Sequence, residues 1–427
     1  MIQHIIKIIW NERKTNIWLM VEYVIIFCIL WFCTDYLYTM LRSYYGPQGF
    51  DIDQVYMIDM GKKPKTEGES SEVNYDRYAL ALTFLERVKR HPDVESVALA
   101  KAAVPYGGFS MLSGYKINAD SINTTLRQRF VSSDFFNVFK IPIKGQLFDW
   151  TDNTQVDYAI ISPIEGDKFG NIYSNAEFIP ISEVHTIRFD NDWAAHKINH
   201  KVIGRVPKMK QGYFEAYDCN IILPLKREEV DLESNQIVIR VKSGADKDFV
   251  ERFTKDMREQ LFIGPYYLSS IVPITGLRKQ IDYMWGARDQ INSTCAITFF
   301  LMINIFLGIL GSFWFRTQSR RSEIGLRIAL GATPTKVQVM IILETILLLF
   351  IASIISTVIC LNLSDPEIIR SLGIPTVIKQ EWGIGFEQNI INFAITFGFL
   401  AFVSILAVWY PAKQASEIPP ATALHDE

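Results

Sequence analysis

Residues 316–344, RTQSRRSEIGLRIALGATPTKVQVMIILE, open as a basic, helix-patterned stretch too polar to enter lipid, yet they lie between two long apolar segments. No water reaches the bilayer core to satisfy backbone groups, so a span there needs about 20 consecutive apolar residues in one helix. Two such helices joined by a polar piece of about 20 residues must leave the membrane and re-enter it on the same face. The stretch is therefore expected to be a short structured loop at one bilayer surface.

Working outward, the chain of 427 residues is long enough for more than one unit. Its 49% of hydrophobic residues and mean hydropathy of +0.12 are high for a wholly soluble protein. The apolar residues are clustered. Lys14 and Asp35 enclose a run in which only Glu22 is charged. Asp289 and Arg316, Lys336 and Asp365, and Glu387 and Lys413 enclose three more. Each run can cross a core of ~30 Å at ~1.5 Å per residue. The expected fold class is an α-helical membrane protein with four transmembrane helices, at 16–38, 291–315, 337–363 and 389–410, and a large α+β extracytoplasmic domain at 39–290.

Charge location sets the expected orientation. Lys7, Arg13 and Lys14 precede the first span, Arg316, Arg320, Arg321, Arg327 and Lys336 lie between the second and third, and Lys413 follows the fourth. The positive-inside rule makes these places cytoplasmic, so both termini and the loop 316–336 are inside. The loop 364–388, with only Arg370 and Lys379, is outside, and 411–427 is a cytoplasmic tail. The first span is long and lacks a small-x-small cleavage site, unlike a signal peptide. The net charge of −3 says nothing about partners by itself, and no nucleic-acid partner is expected. Of five cysteines, Cys28, Cys33, Cys295 and Cys360 fall in spans, leaving Cys219 alone outside. The external domain must then rest on its own core, with Cys219 as a small buried apolar residue.

Residues 1–15 place Ile2, Ile5, Ile6 and Ile9 on one helical face and Lys7, Asn11 and Lys14 on another, as in an interfacial helix lying on membrane lipids; the alternative is that they extend the first span inward. Glu22 is an intramembrane acid, expected to reach the inner interface or face the bundle.

In the external domain, strand 53–60, helix 75–90 and strand 94–100 make one βαβ-type unit, and 236–242, 247–262 and 266–274 make another, with a turn and cap at 243–246. Two such halves with material between them point to a split βαβ subdomain carrying an inserted, mainly β subdomain at about 150–232. His91, His185, His196 and His200 show no metal-ligand spacing, and neither a GxSxG nor a Cys/His pair is present. The expectation is a chain that is not an enzyme and holds no metal or cofactor of its own. Residues 276–286 carry Leu277, Ile281 and Met284 or Trp285 at helical spacing and run into the second span, so a continuous helix is expected to form a stiff rod.

Within the loop, 321–330 can form a short helix with Ile324, Ile328 and Leu330 on one side and Glu323 and Arg327 on another. Gly331 suits its left-handed end, Thr333 an N-cap, and Pro334 the first residue of the next helix. Glu344 sits about ten residues into that helix, expected to hold the loop or a neighbouring helix in place.

This run, with Glu323-Ile324-Gly325, Arg327, Ala329-Leu330-Gly331-Ala332 and Glu344, resembles the signature loop of MacB/FtsX-like ABC transporter permeases. The C-terminal YPAKQASEIPPATAL, Ser133-Asp134-Phe135-Phe136 with Gly145, and HKVIGRVPKMKQ at 200–211 are similar to other parts of that family. The residues after Ile160-Ile161-Ser162 depart from its pattern, as does His425. The resemblance implies a permease subunit of the bacterial inner membrane whose loop helix docks on a separate cytoplasmic ABC ATPase. Arg321, Glu323, Ile324, Gly325, Arg327, Ile328, Leu330 and Gly331 would couple the two, with Ile324, Ile328 and Leu330 as apolar anchors. The chain has no GxxxxGK[ST], so ATP and Mg²⁺ belong to that partner. A second copy or a similar permease is expected, with an outer-membrane channel or periplasmic adaptor among further partners. Two functions are implied: export or extraction of a peptide, lipoprotein or hydrophobic toxin, or control of a cell-wall hydrolase without transport.

Overall fold

The computed structural model describes residues 9, 13–63, 75–117, 122–162, 186–189, 198–212, 217–284, 286–363 and 386–417. The segment 1–15, the loop 364–388, the final residues of the tail, and His185, His196 and Trp285 fall largely or wholly outside them. Two compact units result, Met1–Arg42 with Arg288–Glu427, and Ser43–Ala287.

The sheet-bearing unit is built on four strands and two helices. Strand β1 (Val55–Lys62), a helix at Arg77–Lys89 and β2 (Val94–Lys101) form one half; β10 (Gln236–Val241), a helix at Phe249–Met257 and β11 (Tyr266–Pro273) form the other. The order is β11-β1-β10-β2 with antiparallel neighbours, so each half leaves a slot that the other's strand fills. Period-two alternation divides the side chains between two faces. Val97, Leu99, Ile237 and Ile239 pack under the helices with Phe84, Val88, Phe253 and Met257. Ala98, Ala100 and Val238 turn to the opposite face, against Phe135, Phe139 and Ile274. Asp76 caps the first helix by accepting from the Ala79 amide at 3.2 Å. The second helix starts at Phe249, later than the turn at 243–246 implies, with Asp248 left-handed at φ 53°.

The remaining strands close on themselves. Strand β3 (Met111–Ile117) lies between β4 (Ile122–Val131) and β7 (Thr186–Phe189); β8 (Ile198–Arg205), β6 (Tyr158–Ser162) and β9 (Asn220–Pro224) follow, and β9 returns to pair in parallel with β4. The short β5 (Lys144–Gly145) adds to β8. Two strands of this six-stranded ring come from before residue 150, so the insert is not the separate 150–232 block read from the sequence. The long β4 explains it: residues 122–128 pair with β3, residues 130–131 pair with β2, and the other edge carries β9. One strand thus belongs to both parts of a continuous sheet. Cys219 is buried, as is Arg129, whose guanidinium reaches the Asn220 side chain at 2.8 Å and the Ala103 carbonyl.

Among the described residues, four helices are long and apolar enough to cross a membrane: Asn16–Tyr45, Ile291–Phe315, Pro334–Leu363 and Gln388–Ser416. Tyr23, Phe27 and Trp31 pack with Ile305, Ile309, Leu349, Leu400 and Val403 in their common core. The Glu22 carboxylate lies against Gly308, where a Cβ would sit 2.6 Å from its Oε1. The glycine is what makes room for the acid. Asp35 accepts from Gln388 at 2.8 Å and Asn392 at 2.7 Å, tying the first and fourth helices. Two boundaries differ from the expected ones. The first helix continues past 38 to Tyr45, and the fourth runs through Pro411 to Ser416. Proline leaves one carbonyl of the preceding turn without its amide, but Ala412 and Ala415 are buried in the same core and keep the helix going.

The expected rod is broken. A helix at Ile274–Met284 ends, and Gly286 takes φ 66° before a new helix begins at Ala287. Helical spacing of apolar residues continues across this point, but a left-handed residue ends the hydrogen-bond ladder whatever the side-chain pattern.

Candidate functional site

The loop between the second and third spans is built around one short helix, Arg321–Ala329. Its end is a complete Schellman motif: the Gly331 amide donates to the Ile328 carbonyl, and the Ala332 amide to that of Arg327, each at 3.0 Å. Gly331 has φ 92°, a conformation costly for any residue bearing a Cβ. The next helix starts at Pro334, and the Thr333 hydroxyl accepts from the Lys336 amide at 3.4 Å. Proline at a first helical position loses nothing, since that amide has no partner in any helix. The chain therefore reverses within Leu330–Pro334 by local chemistry alone.

Burial orients the short helix. Ile324 is 4% exposed and belongs to the core of the spans with Val337, Ile341, Ala412 and Ala415. Gly325 is buried and Ile328 packs half-buried against the same core. Leu326 is 51% and Leu330 80% exposed. Of the expected anchors, Ile324 packs into this chain's own spans and Ile328 is half-buried against them. Leu326, not singled out from the sequence, joins Leu330 on the open face. Helical periodicity finds the stripe, but it does not say which neighbour the stripe meets.

The charged residues pin this orientation. Arg320 donates to Glu344 at 2.9 Å and to Glu323 at 3.0 Å. Arg327 donates to the other oxygen of Glu323. Burial pushes the Glu323 carboxyl up, but Arg320 and Arg327 outweigh it and hold the group below the ordinary carboxylate range. Glu344 is 2% exposed and its partner's side chain 12%, so the pair is desolvated. Removing one member of such a pair leaves a buried charge uncompensated, which costs more than an exposed bridge is worth. Sequence reasoning singled out Glu344 but not Arg320 as its partner. A helix-spacing rule pairs residues three or four apart, and this pair is 24 apart across a turn. Together Gly331, Ile324 and the Arg320–Glu344 bridge fix the short helix onto the spans and leave Leu326 and Leu330 outward. The Arg321 side chain lies outside the described residues.

Two family models match the chain. One, the MacB-like periplasmic core domain, covers residues 37–255, and the other, the FtsX-like permease C-terminal domain, covers 295–420. Among curated proteins, the macrolide export ATP-binding/permease protein MacB of Bdellovibrio bacteriovorus is 25% identical over 67% of this chain and 41% of its own length. That of Salmonella typhimurium is 22% identical over 82% of this chain and 50% of its own length. The chain thus spans about half the length, or less, of the curated relatives it matches. Among solved structures, the periplasmic region of MacB from Actinobacillus actinomycetemcomitans is 13% identical, with 55% of this chain and 94% of that one covered and a TM-score of 0.32. The extracellular domain of the noncanonic ABC-type transporter YknZ from Gram-positive bacteria is 15% identical, with 50% and 100% covered and a TM-score of 0.28. By the two domain matches, which together account for most of its length, the chain belongs to the MacB/FtsX-like ABC transporter permease family.

Proposed function

We propose that this chain is the permease subunit of an inner-membrane ABC transporter, with both termini and the loop 316–336 cytoplasmic and the sheet-bearing unit periplasmic. A separate ABC ATPase, which holds ATP and Mg²⁺, docks on the loop helix. Nucleotide-driven closure of two ATPases moves two such loops, in a pair of identical or similar permeases, and the motion passes along the spans to the external units. The work is export or extraction of a peptide, lipoprotein or hydrophobic toxin captured outside, by mechanical transmission without a path through the spans. Switching of this kind needs two states of a firmly linked element.

The observation that carries this reading is the loop helix itself: it is pinned from within by Ile324 and Arg320–Glu344 and presents Leu326 and Leu330 outward. An exposed apolar pair on a braced helix fits helix-in-groove recognition. Site-specific crosslinking from Leu330→Cys to co-expressed ABC ATPases tests it, with Ile324→Cys as the buried control. A crosslink from position 330 and none from 324 is expected. Absence from both, with the protein folded and in the membrane, would sink the docking site. Co-purification then separates the uses: an outer-membrane channel or periplasmic adaptor marks export, and a cell-wall hydrolase marks the non-transporting alternative.

A further inference from the structure

Strands β2 and β10 pair antiparallel with Ser96 opposite Arg240, so both side chains project from one face of the sheet. Arg240 is buried and donates from Nε to the Val138 carbonyl, and from its terminal nitrogens to the Asp53 carbonyl at 2.8 Å and the Asp51 carbonyl at 2.9 Å. It thereby gathers the approach to β1 and the short helix Phe135–Val138 around its own strand. Two clefts of about 570 and 530 Å³ open between these pieces, and Lys140 lines both. Each falls within the range of small-ligand pockets, about 300–1,000 Å³.

The first cleft is walled by Glu95, Ser96 and Asp134, and the second by Asp51, Asp53 and Asp246. The register of β2 on β10 slips between Arg240 and Val241, leaving Glu95 unpaired in the ladder. A bulge of this kind re-aims a side chain, and Glu95 lines the same cleft as its neighbour Ser96. The cations of both clefts are engaged: Lys89 lies 3.7 Å from Asp134, and Lys140 and Arg240 lie 3.5 Å and 3.6 Å from Asp51. Glu95, Asp53 and Asp246 have no ion-pair partner among the described residues. Ser96 is 8% exposed, and its hydroxyl has no hydrogen-bond partner among them either. A buried hydroxyl left unpaired is unfavourable, and the cleft beside it has room for a group that would pair with it.

We infer that the two clefts meeting at Lys140 form a binding site for a polar ligand carrying at least two alkylammonium or guanidinium groups. One such group sits against Glu95 and donates to the Ser96 hydroxyl, and another sits against Asp53 and Asp246. Unmatched carboxylates supply the charge, and the orphaned hydroxyl supplies a fixed acceptor that free solution does not. Basic side chains of a peptide and a free polyamine share this chemistry. The site is independent of the loop helix and of any ATPase.

Isothermal titration calorimetry on the full chain in phosphatidylcholine nanodiscs tests this, with acetyl-trilysine amide and spermidine as separate probes and acetyl-triglutamate amide as the control. Saturable binding of one cationic probe per chain is expected, and none of the control. Ser96→Ala should weaken binding by about fivefold while the melting temperature stays level or rises, because an unpaired buried hydroxyl is removed. Asp53→Asn combined with Asp246→Asn should weaken it by about tenfold. Ser96 is uncharged, so a diffuse attraction of polycations to an acidic surface would respond to the double variant and ignore Ser96→Ala. Glu95→Gln, a change at an exposed side chain, takes the place of Ser96→Ala if that variant does not fold. Binding of trilysine alone assigns a peptide, of spermidine alone a polyamine, and of both a site that reads only the shared cationic groups. If neither probe saturates, or if Ser96→Ala folds and binds like the parent, the site is overturned.

Discussion

Gly331 and Gly286 make an instructive pair. Both have positive φ, 92° and 66°, and among the described residues beyond their chain neighbours none places an atom within 4 Å of where a Cβ would stand. Both end one helix just before another begins. Their support differs. At Gly331 two Schellman bonds, the buried Ile324 and the Arg320–Glu344 bridge hold the reversal to one geometry. At Gly286, among the described residues, the amide donates to the Tyr283 carbonyl at 3.1 Å. A left-handed glycine sets the direction of a turn, and what packs around it decides whether the turn is a fixed angle or a joint.

The contrast is broken most severely by removing its brace. Arg320→Met removes the cation 2.9 Å from the buried Glu344 carboxylate and is expected to destabilise the helical unit by roughly 3 kcal/mol, with the pair replaced by Met and Leu recovering most of the loss. Thermal unfolding of the single and double variants in detergent measures this. If the single variant unfolds like the parent, the bridge is not what fixes the turn.

Acid should then separate the two units. His200 lies buried in β8, and burial lowers its pKa to about 4; Asp157 opposes the shift and Lys226 adds to it. The folded state thus keeps the ring neutral where the unfolded chain would protonate. The contribution to stability is whole above the ordinary value of 6.5, falls as pH drops below it, and is lost by about pH 4. It amounts to roughly 3 kcal/mol. His200→Asn should flatten this part of the pH dependence of unfolding in the sheet-bearing unit and leave that of the helical unit unaltered.

The smallest effect compares the glycines directly. Alanine at either position pays about 1 kcal/mol for its left-handed backbone. At 331 the brace prevents escape and the cost appears as lost stability. At 286 the chain can relax by joining its helices, since alanine favours helix. Gly286→Ala should therefore raise helix content by circular dichroism at little cost in melting temperature, and Gly331→Ala should do the opposite. Equal behaviour at both sites would erase the distinction.

Features carried by residue chemistry could be read before the structure. Four long apolar runs need no tertiary information to be recognised, because each satisfies its own backbone. Gly331, Thr333 and Pro334 carry their conformations in their covalent structure, and the backbone there adopts those conformations. The alternation in β2 and β10 marks two buried faces for the same reason.

What only the tertiary structure decided is which surfaces meet. Ile324 and Leu330 look alike in sequence, yet one lies in the core of the spans and the other points outward, because a stripe of apolar residues does not name its neighbour. Arg320 with Glu344, and Lys210 with Ser43, join positions 24 and 167 residues apart, which no periodicity links. The break at Gly286 was hidden by apolar spacing that runs across it. Local chemistry by itself determined the spans, the strands and the turn of the loop; distance in the folded chain decided which helix ends are held and which are left to bend.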